Sequence, residues 1–256
     1  MTTPHSPFAA LSAQVRRVDE DRWLASRFAP ARVRERLIAI YAVNYEIARI
    51  AETVNEAPLG LIRLTWWREA LEEIAQGAAP RAHPALIRYA ETMSGVALPF
   101  APWELMIETR SSCDFLTEPF AEWADLEAYA EQTAGNVIRL ALAACGAYDP
   151  SNGIASYAAR AWTYVGFMRS QAHWRARGRS SLPRKGGSIS DLRSRTLLAH
   201  SGAGAWAKTA ASAGFPAFGY IALVPGYLRA LEQGQTQRPL LARQLTLVSA
   251  AATGRI

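Results

Sequence analysis

Only two of this chain's 256 residues are cysteine, Cys113 and Cys145, and neither sits in a C-x-x-C pair. That excludes a disulfide framework and a four-cysteine zinc site, and two free thiols suit a reducing compartment. No run of about 20 apolar residues occurs, so a membrane-spanning helix is not expected. The start, MTTPHSPF, lacks the basic-then-apolar pattern of a secretory leader. Period-2 runs of β-branched residues are missing, which argues against a sheet. There is no Walker A loop, no dinucleotide fingerprint and no recognisable nucleic-acid module. Cytoplasmic placement follows, with any membrane contact peripheral.

Acid is scarce in one half only. Residues 1–150 hold 14 basic and 20 acidic side chains, a net −6. Residues 151–256 hold 14 basic side chains against Asp191 and Glu232, a net +12. Such asymmetry points to an anionic partner: phosphate, diphosphate or an anionic membrane face. A dispersed, solvated basic surface is the plainer alternative.

What is present is helix-forming sequence. Half of the residues are hydrophobic, alanine is abundant, and Gly and Pro punctuate segments of helical period. The expected class is all-α, in one domain over 1–256, with a core over about 20–250 and a loose tail at 1–8. The pattern predicts helices over Ala9–Asp21, Ala31–Thr53, Pro58–Gln76 and His83–Ser94. Others follow from Pro102 to Cys113, from Asp125 to Gly146, and over Tyr157–Arg175. The last cover Asp191–Ser212, Pro216–Gln233 and Pro239–Ala252, and Pro225 should kink or split its helix. Gly166 lies mid-helix, where it costs about 1 kcal/mol against Ala, so a close packing partner is expected there. Trp66 and Trp67 read as core or interface anchors, and a partner-binding surface around them is one open reading. Ser170 and His173 lack an orienting acid, so they do not read as a nucleophile and base.

Several motifs resemble the squalene/phytoene synthase family. Arg177-Gly178-Arg179, with Leu182 and Pro183, is similar to the R-G-R-x-x-L-P that closes its second aspartate-rich helix. Tyr129, Ala134, Gly135 and Val137 match Y-x-x-x-V-A-G-x-V, and Pro225, Tyr227, Leu228, Arg229 and Leu231 match P-x-Y-L-R-x-L. Arg63 to Leu71, R-L-T-W-W-R-E-A-L, with Asn44, Glu46, Ala48 and Arg49 as N-x-E-x-A-R, resembles a subgroup of that family. The resemblance implies an isoprenoid-synthase-type helical bundle around a central cavity.

The family holds magnesium, and through it a diphosphate, on aspartates of two facing helices. The resemblance places those aspartates at Ala48, Arg49 and Glu52 on one helix and at Ser170 and Trp174 on the other. Only Glu52 is a carboxylate. That implies no catalytic residues, no metal and no cofactor, with magnesium required only if the alternative, an active head-to-head prenyl transferase, holds. Glu52, Glu46 and Asp125 would then have to converge. Arg49, Arg169 and Arg175 are the candidate anion-binding residues, and pairing of such arginines with Glu46 and Glu52 is the plainer reading. Tyr41, Asn44, Tyr129, Ala134, Gly135 and Val165 are the candidate cavity lining. The motif-lacking subgroup resembles a mitochondrial complex I assembly factor. It implies a scaffold or lipid-handling role, with an isoprenoid or phospholipid ligand, respiratory-complex subunits as partners, and a peripheral contact at the inner membrane face. Nucleic acid is not expected.

Overall fold

The computed structural model describes residues 7–96 and 98–256. Fifteen α-helices occur among them, and no strand. The expected tail at residues 1–6 lies outside the described residues; Pro7 and Phe8 already belong to α1.

In chain order, α1 is Pro7–Val18, α2 Glu20–Ser26, α3 Ala31–Ala48, α4 Ile50–Thr53 and α5 Ala57–Ala75. Then come α6 Pro84–Met93, α7 Ala101–Cys113, α8 Trp123–Ala130 and α9 Asn136–Ala144. Next are α10 Ile154–Arg169, α11 Gln171–Ala176 and α12 Ile189–Ala207. α13 Phe215–Phe218, α14 Val224–Glu232 and α15 Leu240–Thr253 complete the set.

Local chemistry explains most of these limits. Pro84 and Pro102 occupy first-turn positions, where the missing N–H would be unsatisfied anyway. His83 caps α6, its Nδ1 accepting from Ala85 N at 3.2 Å. Glu122 and Asp125 form a reciprocal capping box, so Asp125 is the third residue of α8 rather than its start. Pro225 does split the penultimate segment: a 3₁₀ turn over Gly219–Leu223 precedes α14, with Pro225 in its first turn.

α3 is the central helix. Every residue from Leu37 to Asn44 is buried, and Ile47 with them. α1, α6 and α9 pack around it, and α10 packs along α12. The chain ends are tied together by a buried ionic latch. Asp21 on α2 accepts from Tyr227 Oη at 2.6 Å and from Arg243 Nη1 at 2.8 Å. Trp67 is buried in the core, while Trp66 stands at the surface, edge-on to Trp67 at 5.4 Å with Arg81 over its ring. Both cysteines are free.

Candidate functional site

Three of the helical paths through the bundle are interrupted around one cleft. The segment expected as a single helix over Ala31–Thr53 breaks at Arg49, a turn residue between α3 and α4 with ψ −8°. The segment expected over Tyr157–Arg175 starts earlier, at Ile154, and breaks at Ser170 (ψ 6°). There Ser170 Oγ donates back to Gly166 O at 2.9 Å, a bond that competes with the helix ladder and bends it. Between α8 and α9, Glu131–Gly135 widens into a π-helical turn, a feature frequent at functional sites. Thr133 Oγ1 donates to Tyr129 O at 2.6 Å within it.

The cleft between these breaks has a volume of about 450 Å³, within the range of roughly 300–1,000 Å³ common for small-ligand pockets. Ala48, Ala51 and Glu52 form one wall; Gly166, Phe167, Ser170, His173 and Trp174 form the facing one. Thus Ala48, Glu52, Ser170 and Trp174 meet across a single cavity. Asn44, Tyr129 and Ala134 line it too.

The remaining expected site residues lie elsewhere, for a reason of helical phase. Neighbouring helix residues point about 100° apart, so a residue one step from a lining position faces away. Arg49, next to Ala48, pairs with Glu46 at 3.6 Å and rests over Tyr45. Arg169, next to Ser170, lies over the Tyr227 ring at 3.9 Å and donates to Thr236 O. Arg175, next to Trp174, is exposed. Tyr41 is buried beneath Arg22, and Val165 is wholly in the core. Gly135 faces Arg139 and Ala159, where a Cβ would lie 3.0 and 3.5 Å from them. Its small size serves helix packing instead of the cavity. Gly166 reverses the expectation in the other direction: an added Cβ would meet nothing within 4 Å, because that side is cavity.

Four other arginines line the cleft: Arg22, Arg110, Arg177 and Arg179. Arg177 and Arg179 come from the R-G-R turn, which is a Schellman cap on α11. Gly178 has φ +64°, a conformation that glycine adopts without strain. Arg179 N donates to Trp174 O, and Gly178 N to Arg175 O, both at 3.0 Å. Arg179 then stacks over Trp174 at 4.5 Å and donates to the carbonyls of Leu116 and Asp114. Arg177 contacts His173 Nε2. Neither has a carboxylate partner among the described residues, and Glu52 opposite has no basic partner among them.

The inner end is a paired polar cluster. Asp114 accepts from Arg110 Nη1 and from Tyr129 Oη, each at 2.8 Å. Burial holds the Tyr129 phenol far above its ordinary pKa, and the Asp114 charge adds to it. Burial works against the Arg110 charge, but Tyr129 and Asp114 outweigh it. Arg22 pairs with Asp19 at 2.8 Å and lies over the Tyr220 ring. Of these, only the R-G-R pair carried a sequence signal. Arg22 and Arg110 look like any helical arginine until the fold buries them.

The donors do not suit a magnesium–diphosphate cluster. Hard cations need several oxygen ligands, and among the described residues no three His, Cys, Asp or Glu gather to hold an ion. Glu46 accepts from Gln14 Nε2 and pairs with Arg49, and Asp125 is held in its capping box. Glu52, Glu46 and Asp125 therefore do not converge.

Comparison with known proteins accords with this frame. A family model described as squalene/phytoene synthase matches residues 15–251. Over 170 residues the chain is 26% identical to NADH dehydrogenase (ubiquinone) complex I, assembly factor 6, of Mus musculus, covering 66% of this chain and 50% of that protein. The Homo sapiens protein matches to the same extent, so the chain spans about half the length of these curated relatives. A dehydrosqualene synthase crystallised with ligand superposes with a TM-score of 0.83 at 15% identity, over 96% of this chain and 95% of that one. The squalene synthase HpnC from Alicyclobacillus acidocaldarius gives 0.63 at 20%, over 97% and 94%. The two solved structures share the fold, and the family model spans nearly the whole chain. With its bundle, its facing motif positions and its R-G-R cap, this chain belongs to the squalene/phytoene synthase family.

Proposed function

We propose that this protein is a metal-independent binding member of its family. It holds an amphiphile with a phosphate or diphosphate head, an isoprenoid diphosphate or a phospholipid, and does not transfer the prenyl group. The observation that carries the reading is the exchange of charge around the cleft. Of the motif positions facing each other, Glu52 alone is acidic, while Arg177 and Arg179 stand without carboxylate partners. Guanidinium binds phosphate oxygens directly, so an anionic head needs no bridging metal there. Phe167, Trp162, Ala134 and Gly166 offer the apolar part of the lining to a hydrocarbon chain. Without a metal to neutralise the leaving diphosphate, ionisation loses several kcal/mol of stabilisation, and each ~1.36 kcal/mol is tenfold in rate.

The likeness to complex I assembly factor 6 supports a role in respiratory-complex assembly, with complex subunits as partners and the inner membrane face as the place of work. No helix of the described residues is long and apolar enough to cross a membrane.

The test is binding and turnover side by side. Farnesyl diphosphate in excess EDTA should raise the melting temperature, and Arg177→Glu with Arg179→Glu should abolish the rise. Incubation with farnesyl or geranylgeranyl diphosphate and magnesium should give no condensed product. Product above the no-enzyme background would establish the prenyl transferase instead.

A further inference from the structure

The C-terminal helix presents a solvent face without charge. α15 buries Arg243, Leu247 and Ala250. It turns Leu241, Leu245 and Val248 outward, 66%, 62% and 55% exposed. Steps of four and three place them in one stripe. Between Leu240 and Gly254 the only ionisable side chain is Arg243, which is taken by Glu20 and Asp21. The outer face of a solvated helix ordinarily carries charged groups; this one carries none for nearly four turns.

The stripe adjoins an apolar hollow of about 360 Å³. Ala251 lines it together with Phe28, Val33 and Phe215. Phe28 stands at its edge, 39% exposed, with Phe215 5.2 Å away. Arg27 and Arg32 flank Phe28 and are exposed. The acid nearest to them along the α3 side, Glu35, is taken by Arg88, and neither Arg27 nor Arg32 has a carboxylate partner among the described residues. Burial, and after it the charge of Arg27, holds the Arg34 guanidinium below its ordinary pKa, so Arg27 and Arg34 lie near one another. Arg255 closes the other end of the stripe, and neither 22–34 nor 240–256 contains an acid.

We propose that this face, α15 with the Phe28 loop, seats on an anionic lipid bilayer. Its apolar side chains enter the headgroup boundary while Arg27, Arg32 and Arg255 stay at the level of the phosphates. Charge selects this occupant. A two-fold contact between two copies would set the same patch, with its unneutralised arginines, against itself; anionic lipid neutralises them. α5 also exposes apolar residues, Leu59 and Ile62, but Glu56 and Glu69 lie at and along it. The surface is separate from the cleft. α3 meets the hollow at Val33 and the cleft at Ala48, roughly 20 Å further along its axis. The proposal therefore stands apart from the ligand reading above.

Co-sedimentation of the full chain with vesicles tests it. Mixed phosphatidylcholine–phosphatidylglycerol vesicles should bind the protein, pure phosphatidylcholine vesicles should bind it far less, and added salt should weaken the binding. Arg27→Glu with Arg32→Glu should cut affinity at least about fivefold per charge. Leu245→Ser with Val248→Ser should cut it about tenfold, with unchanged circular dichroism. Ile62→Ser, on α5, should bind like wild type. The proposal fails if anionic vesicles are not preferred, if both double variants bind normally, or if Ile62→Ser loses as much. It fails equally if no vesicle binds and sedimentation finds a dimer that Leu245→Ser with Val248→Ser dissociates.

Discussion

Trp174 donates its indole N–H to the hydroxyl of Ser170 at 3.1 Å. These are two positions where the family resemblance places metal-holding aspartates, and here they satisfy each other. Ser170 has also turned its own O–H back to Gly166 O, and neither side chain carries the negative charge of the aspartate it replaces.

Restoring carboxylates should restore the metal response. A variant with Ala48→Asp, Ser170→Asp and Trp174→Asp would set three acids beside Glu52 around the same cleft. Magnesium should raise its melting temperature and EDTA should reverse the rise, while wild type should be indifferent to both. Scanning fluorimetry reads the difference directly.

Asp114 anchors the inner end of the cleft, and its partners should be unequal. Tyr129→Phe removes one hydrogen bond to a charged group, about 1.5–3 kcal/mol. Asp114→Ala leaves the Arg110 guanidinium buried without its partner, about 3–5 kcal/mol. Urea unfolding of the two variants should give that order; equal losses would mean that Arg110 finds another counter-charge.

The latch between α2, α14 and α15 predicts that the ends of the chain stabilise the whole. Asp21→Ala should cost about 3–5 kcal/mol, because Arg243 and Tyr227 lose a buried acceptor together. Tyr227→Phe should cost about 1.5–3 kcal/mol. Chemical denaturation should show a lower midpoint for both, with Asp21→Ala the worse.

Gly166 lines the cavity wall, so its substitutions should separate stability from binding. Gly166→Ala should raise helix stability by about 1 kcal/mol. Gly166→Leu should fill the space near Phe167 and Ser170 and abolish the thermal shift produced by farnesyl diphosphate. A loss of stability in Gly166→Ala would mean that the wall packs closer than the open space beside it implies.

Acid should loosen the fold through His200. Burial holds its pKa below the ordinary histidine value, so the folded state favours the neutral ring. That contribution is complete above the unfolded pKa, near 6.5. It is lost as the pH falls, because the unfolded chain takes up the proton first. Between pH 7.5 and pH 5 wild type should lose more melting temperature than His200→Gln.

Much of this was legible along the chain. α5, α6, α7 and α15 lie within one or two residues of their expected spans, because proline starts, glycine stops and helical period act locally. Pro225 marked its own break. The R-G-R motif marks the end of its helix; that its two arginines line the cleft follows only from the fold. The breaks at Arg49 and Ser170 were not legible. Both lie inside unbroken helical patterns, and neither is a glycine or a proline. The expected anion-binding residues Arg49, Arg169 and Arg175 each missed the cavity by a single residue, which on a helix is a different face.

The sequence by itself determined the helical class, the family and the scarcity of carboxylates at the motif positions. Those properties are carried by local period and by residue identity. The tertiary structure alone decided which arginines face the cleft, that Gly135 packs while Gly166 lines space, and that Asp21 reaches Tyr227 and Arg243. Each of those depends on how helices distant in the chain are rotated against one another. That rotation is set by the packing of the whole core, and no short stretch of sequence contains it.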